Sequence, residues 1–467
     1  MSEREPKVVP VFANISKMWL HILFGLCIMW SEAMKVKRYA IKRLIEWQNS
    51  KRRKPLIIRG ARQVGKTWLM KEFGNTHFKS MAYINFDNNE RMKILFEGDY
   101  DIARLIDGLQ VESGEKINPQ TTLIVFDEVQ EVPKALSSLK YFYENAPEYA
   151  IVAGGSLLGV ALQKGTSFPV GKVDFCHLYP LNFCEFLEGI GEENLVELLR
   201  KKDWKLIAAF ASKFIDLLRK YYYVGGMPEA VAEYAESKDY AEVRKIHEQI
   251  FFTYEQDFSK HAPVNVVPRI RNIWNSVPAQ LSRESKKFSP GLVQKGSRLN
   301  DYELALQWLL DCGLLYKVKQ ISKPSIPLVS YETNFFKIFI HDVGLLSTKS
   351  GLDVKTLLEG NRIFEEFKGA LTEQYVLQEM IANGITPSYW SSQGKAEVDF
   401  VFKHGSDIFP LEVKAEENLQ SKSLKVYSER FTPPVSLRTS MRDYRRESWL
   451  LNIPLYAIGT DLEVPGR

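Results

Sequence analysis

The chain has 467 residues, 45% of them apolar, and a formal net charge of +5. That length predicts two to four domains and that composition excludes a disordered or fibrous chain, while the mild positive excess permits a nucleic-acid partner without requiring one. Cys27, Cys176, Cys184 and Cys312 form no CxxC pair and the histidines no HExxH, so no zinc centre is indicated and reduced thiols in a cytoplasmic protein are expected.

In chain order, Met18 to Trp30 (MWLHILFGLCIMW) is apolar but shorter than the roughly 20 residues of a membrane span. Lys7 and Lys17 precede it as in a signal peptide, yet no small-residue cleavage site follows. Met34 is therefore expected as the natural start, with residues 1–33 an upstream extension. A peripheral helix and a secretion signal are the alternatives. From Met34 a basic helix is expected, with Ile41, Leu44, Ile45 and Trp47 on its apolar side. Strand-like runs follow at PLIIRG, AYINFD (82–87), TTLIVFDE (121–128) and YAIVAGGS (149–156), separated by segments that can hold helices. This alternation predicts a parallel sheet covered by helices. Residues 191–350 read as mainly helical. YELALQWLLDCGLLYKV (302–318) has apolar residues at helical spacing and a stop at Gly313, with FFKIFI placed as a short β wing. After residue 350 a helix over FEEFKGALTEQYVLQEMI precedes the strands SYWSS, AEVDFVF and IFPLEVKA.

GARQVGKT, Gly60 to Thr67, fits G-x-x-x-x-G-K-[ST] between a strand and a helix start. Glycines there let backbone N–H groups close around phosphate oxygens, and the helix N-terminus adds a favourable dipole. Nucleotide contacts are expected from Gly60, Ala61, Arg62, Gln63, Val64, Gly65, Lys66, Thr67 and Trp68. Lys66 would neutralise the β- and γ-phosphates, and the Thr67 hydroxyl would ligate magnesium. TTLIVFDE reads as a buried strand delivering Asp127 to its C-terminal end, where open α/β sheets bind ligands. Asp127 is expected on Mg²⁺, and Glu128 is placed to orient or deprotonate the attacking water. Ser156 is a candidate probe of the γ-phosphate, with helix capping as its alternative role.

RGARQVGKTWLM, LIVFDEVQEVP, AGGSLLG, LYPLNFCEFL, GGMPEAV and EVDFVF…PLEVKA together resemble a family of prokaryotic AAA-type P-loop ATPases. The resemblance implies an α/β ATPase domain over 34–190 and a helical, winged-helix-like section over 191–350. It further implies a restriction-endonuclease-like, PD-(D/E)xK nuclease-like domain over 351–467. It carries over Gly60, Gly65, Lys66, Thr67, Asp127, Glu128 and Ser156. Where such ATPases often show Gly-Arg, this chain has Gly171–Lys172, and lysine lacks the planar fork of an arginine finger. Ring assembly therefore stays open.

The expected helix before the wing carries Asp301, Glu303 and Asp311 against Arg298, which disfavours phosphate contact and favours a protein partner. SKRRK (50–54) and RDYRRES (442–448) are the better phosphate-contacting runs, or else solvated faces. Near the end, FPLEVKA puts Glu412 and Lys414 on one face of a strand. With Asp399 on the preceding strand, and Glu373 on the helix before it, they have the arrangement of a metal-dependent nuclease acting on DNA or RNA. The alternative is a retained salt bridge in a binding module. The sequence thus supports an ATP hydrolase using Mg²⁺, with an ATP-switched scaffold or an ATP-regulated nuclease as rivals.

Overall fold

The computed structural model describes residues 37–155, 169–359, 362–392, 396–415 and 421–461. The expectations for residues 1–33 and for Ser156 lie outside them. Strands β1 (Leu56–Arg59), β2 (Ser80–Asn85), β3 (Thr122–Asp127), β4 (Ala150–Gly154) and β5 (Asp174–His177) form one parallel sheet in the order β2-β3-β4-β1-β5. Alternate residues of β1 serve opposite faces. Leu56 and Ile58 pack with helix α1 (Ala40–Gln48) and helix α2 (Lys66–His77), while Ile57 faces Phe86, Phe96 and Leu139 on the other side. Both faces of the sheet are thus covered by helices, as its near-continuous apolar strands require. β5 went unread in the sequence because DFCH is short and half polar.

A helical section follows, including α3 (Tyr240–His261) and α4 (Val267–Leu281). α5 (Glu303–Asp311) ends before Gly313, whose φ of +71° closes the turn into β6 (Leu315–Ile321). The apolar run 302–318 is therefore a helix only in its first half. β6 pairs antiparallel with β7 (Glu332–Ile340), which contains FFKIFI. This hairpin does not stand alone. β6 also pairs with β8 (Ser388–Ser391), joining an eight-stranded mixed sheet in the order β12-β13-β11-β10-β9-β8-β6-β7. The division expected at residue 350 falls after the hairpin, so one sheet runs through both sections. The helix α6 (Arg362–Ala382) leads into β8, then β9 (Glu397–His404) and β10 (Asp407–Val413) form the expected hairpin. β11 (Ser436–Ser440), β12 (Arg445–Arg446) and β13 (Leu450–Pro454) complete the sheet. One apolar core runs from Leu44 to Ile458, so the N-terminal sheet and the C-terminal half share buried side chains.

Candidate nucleotide site and terminal carboxylate cluster

β1 ends at Arg59 and α2 begins at Lys66, leaving Gly60–Gly65 as the loop between them. A Cβ on Gly60 would stand 2.2 Å from the Leu178 carbonyl, so no side chain fits there. Gly65 turns the chain into α2 at φ +90°, conformation that glycine adopts without strain. The buried Lys66 ammonium donates to Gly60 O at 3.0 Å and Ala61 O at 2.7 Å. Burial pushes its pKa down to about 8, against the pull of Glu128 and Asp127. Trp68 is half-buried against the core.

The β3 strand delivers Asp127 to the same end of the sheet. Thr67 Oγ1 donates to Asp127 Oδ2 at 2.7 Å, and the Tyr83 hydroxyl donates to that oxygen at 2.8 Å. Burial and the bond to Asp127 raise the Tyr83 pKa, keeping it a donor. Glu128 adopts a left-handed φ of +51°, which turns it away from the strand line, and its Oε2 accepts from Gln130 at 2.5 Å. A hydroxyl and a carboxylate in contact beside a buried lysine form an oxygen donor set that suits Mg²⁺.

The sequence reading missed three groups that hold this loop. Arg38, buried, pairs with Glu185 at 3.1 Å and donates to Val64 O at 2.9 Å and Tyr179 O at 2.6 Å. From α3, the Tyr254 hydroxyl donates to Arg62 O at 3.0 Å, and Asp257 accepts from Arg62 at 2.5 Å. Their partners lie 26 to 195 positions away in sequence, so no local pattern marks them. Lys172, considered against an arginine finger, pairs with Glu144 at 2.9 Å. In SKRRK, Arg53 donates to Glu148 O and Lys54 to Gly171 O.

The terminal cluster assembles differently. The β8–β9 register shifts by one residue between Val398 and Val401, a bulge that re-aims Asp399. Val413 N–H donates to Asp399 Oδ2 at 2.8 Å, which brings Asp399 onto β10 beside Glu412. Burial, and then the neighbouring Glu373 carboxylate, push Asp399 up to about 7. Glu373 is held below its ordinary range because Lys286 and Lys337 outweigh its burial. Lys286 bonds Glu373 directly. Lys337, 1% exposed, lies 3.8 Å from Glu373 and 2.6 Å from Glu397. Lys414 pairs with Glu412 at 3.1 Å, leaving Glu412 Oε2 buried and without a hydrogen bond. The four expected residues therefore gather in one region, but two lysines the sequence reading did not include sit among them. Among the described residues no three carboxylate, histidine or cysteine side chains converge as metal ligands.

A buried nucleotide-type loop at the head of a parallel sheet, with an acid at the end of β3, defines the ATPase-like class of P-loop domain. Residues 52–187 match the family model described as an AAA domain. Residues 215–356 match a domain of unknown function (DUF8612), and residues 368–457 match another (DUF4143). No curated protein matches the chain. Among solved structures, the chain is similar to the Walker-type ATPase PABY2304 of Pyrococcus abyssi at 15% identity and TM-score 0.43, covering 66% of this chain and 94% of that one. The Aeropyrum pernix Orc1 protein, solved in complex with DNA, is 12% identical with TM-score 0.26, over 67% of this chain and 91% of that one. Cdc6p of Pyrobaculum aerophilum is 11% identical with TM-score 0.24, over 76% and 96%. Among the described residues no helix is long and apolar enough to cross a membrane, and Cys176, Cys184 and Cys312 are buried free thiols.

Proposed function

We propose that the chain binds ATP with Mg²⁺ in its N-terminal domain and hydrolyses it, in a cytoplasmic setting. The observation that carries this reading is the contact of Thr67 with Asp127 directly beside the buried Lys66. Loop amides from Gly60 to Thr67 surround the phosphates, and Lys66 leaves the loop carbonyls to meet the β- and γ-phosphates. Thr67 and Asp127 hold Mg²⁺, which screens phosphate charge when bound. Glu128 orients the attacking water and accepts its proton. The α4–α5–hairpin section acts as a winged-helix-like relay, because its β6 joins the terminal sheet while α3 touches the phosphate loop. Steady-state ATP hydrolysis by the wild type and by Glu128→Gln tests this. Loss of about 100-fold or more in turnover with binding retained supports hydrolysis, and equal turnover supports an ATP-switched scaffold.

One observation favours a second activity. Glu412 Oε2 is buried without a hydrogen bond beside Asp399, an arrangement suited to a divalent cation if the lysine pairs open. On this reading a nuclease-like terminal domain cleaves DNA or RNA under ATP control. Plasmid and RNA incubated with Mg²⁺ or Mn²⁺ and either the wild type or an Asp399→Ala/Lys414→Ala variant test it, and equal degradation removes it.

A further inference from the structure

The contact between α3 and the phosphate loop has a charge logic of its own. Asp257 and Tyr254 lie three apart on α3 and so share a face of that helix. Both reach the same loop residue: Tyr254 takes the Arg62 carbonyl and Asp257 takes the Arg62 guanidinium. The Asp257 side chain is only 8% exposed, whereas Arg62 is 43% exposed and open to a second partner. Asp257 also lies within the electrostatic reach of Lys66 and Glu128, so it stands inside the site rather than at its rim. Arg62, His261, Glu128 and Lys66 are the titratable groups facing it. The α3 helix packs on α4 and on the Val343–Lys349 helix, both in the section that leads to the terminal sheet.

An arginine fork binds phosphate as readily as carboxylate, in the same bidentate geometry. A polyphosphate on this loop would therefore compete for Arg62 and repel Asp257 together. Resting on the nucleotide-binding reading above, we propose that Asp257 is a resident anion which holds the phosphate loop in its empty state. A nucleoside triphosphate displaces it by taking Arg62. Displacement frees the end of α3 from the loop and passes the nucleotide state to the C-terminal half. Because coupling is reciprocal, whatever weakens the Asp257–Arg62 pair strengthens triphosphate binding.

Calorimetry on the full chain with Mg-ATP and with AMP tests this. Asp257→Asn keeps the side-chain shape and removes the charge. It is expected to bind Mg-ATP about tenfold more tightly, with AMP affinity unchanged. Asp257→Glu, which restores the charge, is expected to return toward wild-type affinity. Equal or weaker Mg-ATP binding by Asp257→Asn, with binding still lost in Lys66→Ala, overturns the inference and leaves the nucleotide reading standing. No Mg-ATP binding by the wild type overturns both. A second measurement needs no variant: hydrogen exchange of the amides at 254–262 is expected to accelerate when a non-hydrolysed ATP analogue is added. Unchanged or slower exchange overturns the inference.

Discussion

At the head of the five-stranded sheet, Lys66 donates to carbonyls of its own loop. In the eight-stranded sheet, Lys337 is bonded to Glu397 and lies beside Glu373. Both sites set a buried lysine near acids at strand ends, yet they satisfy it differently. Carbonyl dipoles are partial charges, which an arriving phosphate out-competes. Carboxylates are full charges, so the Lys337 network is complete on folding and opens only at a cost of several kcal/mol. The same residue types thus make a receptive site in one sheet and a closed one in the other.

Replacing each lysine gives the sharpest break of that contrast. Lys66→Ala is expected to weaken Mg-ATP binding by at least about 100-fold by calorimetry, with little change in stability. Lys337→Met should do the reverse. It leaves Glu397 without its partner and the buried Glu373 with Lys286 alone, costing about 3–5 kcal/mol in urea unfolding while nucleotide affinity stays the same. A neutral Lys337→Met would show that the terminal network does not hold the fold and would revive an open metal site there.

Smaller effects come from pH. The Lys66 pKa is pushed down to about 8 in the free protein, and only its charged form pairs with phosphate. Mg-ATP affinity is therefore expected to be flat below pH 8 and to fall by up to about tenfold per unit above it, with proton uptake on binding. Titration in two buffers of different ionisation enthalpy measures that proton. Glu379 is the smallest case. It is buried, accepts from Phe183 N–H at 2.8 Å, and burial pushes it up to about 8 from an ordinary 4.5. The folded chain keeps a proton that the unfolded chain has lost, so its contribution to stability declines as pH rises from about 4.5 and levels off beyond 8. Glu379→Gln should abolish that slope, so that its stability relative to the wild type rises between pH 5 and pH 8.

Much of this was legible in the chain. The strand β1, the glycine loop and the acid after β3 are local features, each written in a dozen residues or fewer. The helix stop at Gly313 and the β9–β10 hairpin were readable for the same reason. What escaped was non-local. Arg38 read as one more cation of a basic helix, though its guanidinium is buried against Glu185. FFKIFI read as a short β wing of the middle section, though its partner β6 is also paired with β8 of the terminal section.

The sequence by itself determined the glycines of the phosphate loop, the strand that ends on Asp127 and the alternation that makes a covered parallel sheet, because backbone propensity and turn chemistry act over a few residues. Only the tertiary structure decided which charges meet. Asp257 reaches Arg62, and Lys286 and Lys337 reach Glu373, across distances in sequence that carry no periodic signal. Whether a buried charge is paired or left receptive depends on those meetings, and a pairing energy exists only where folding has already brought the partners together.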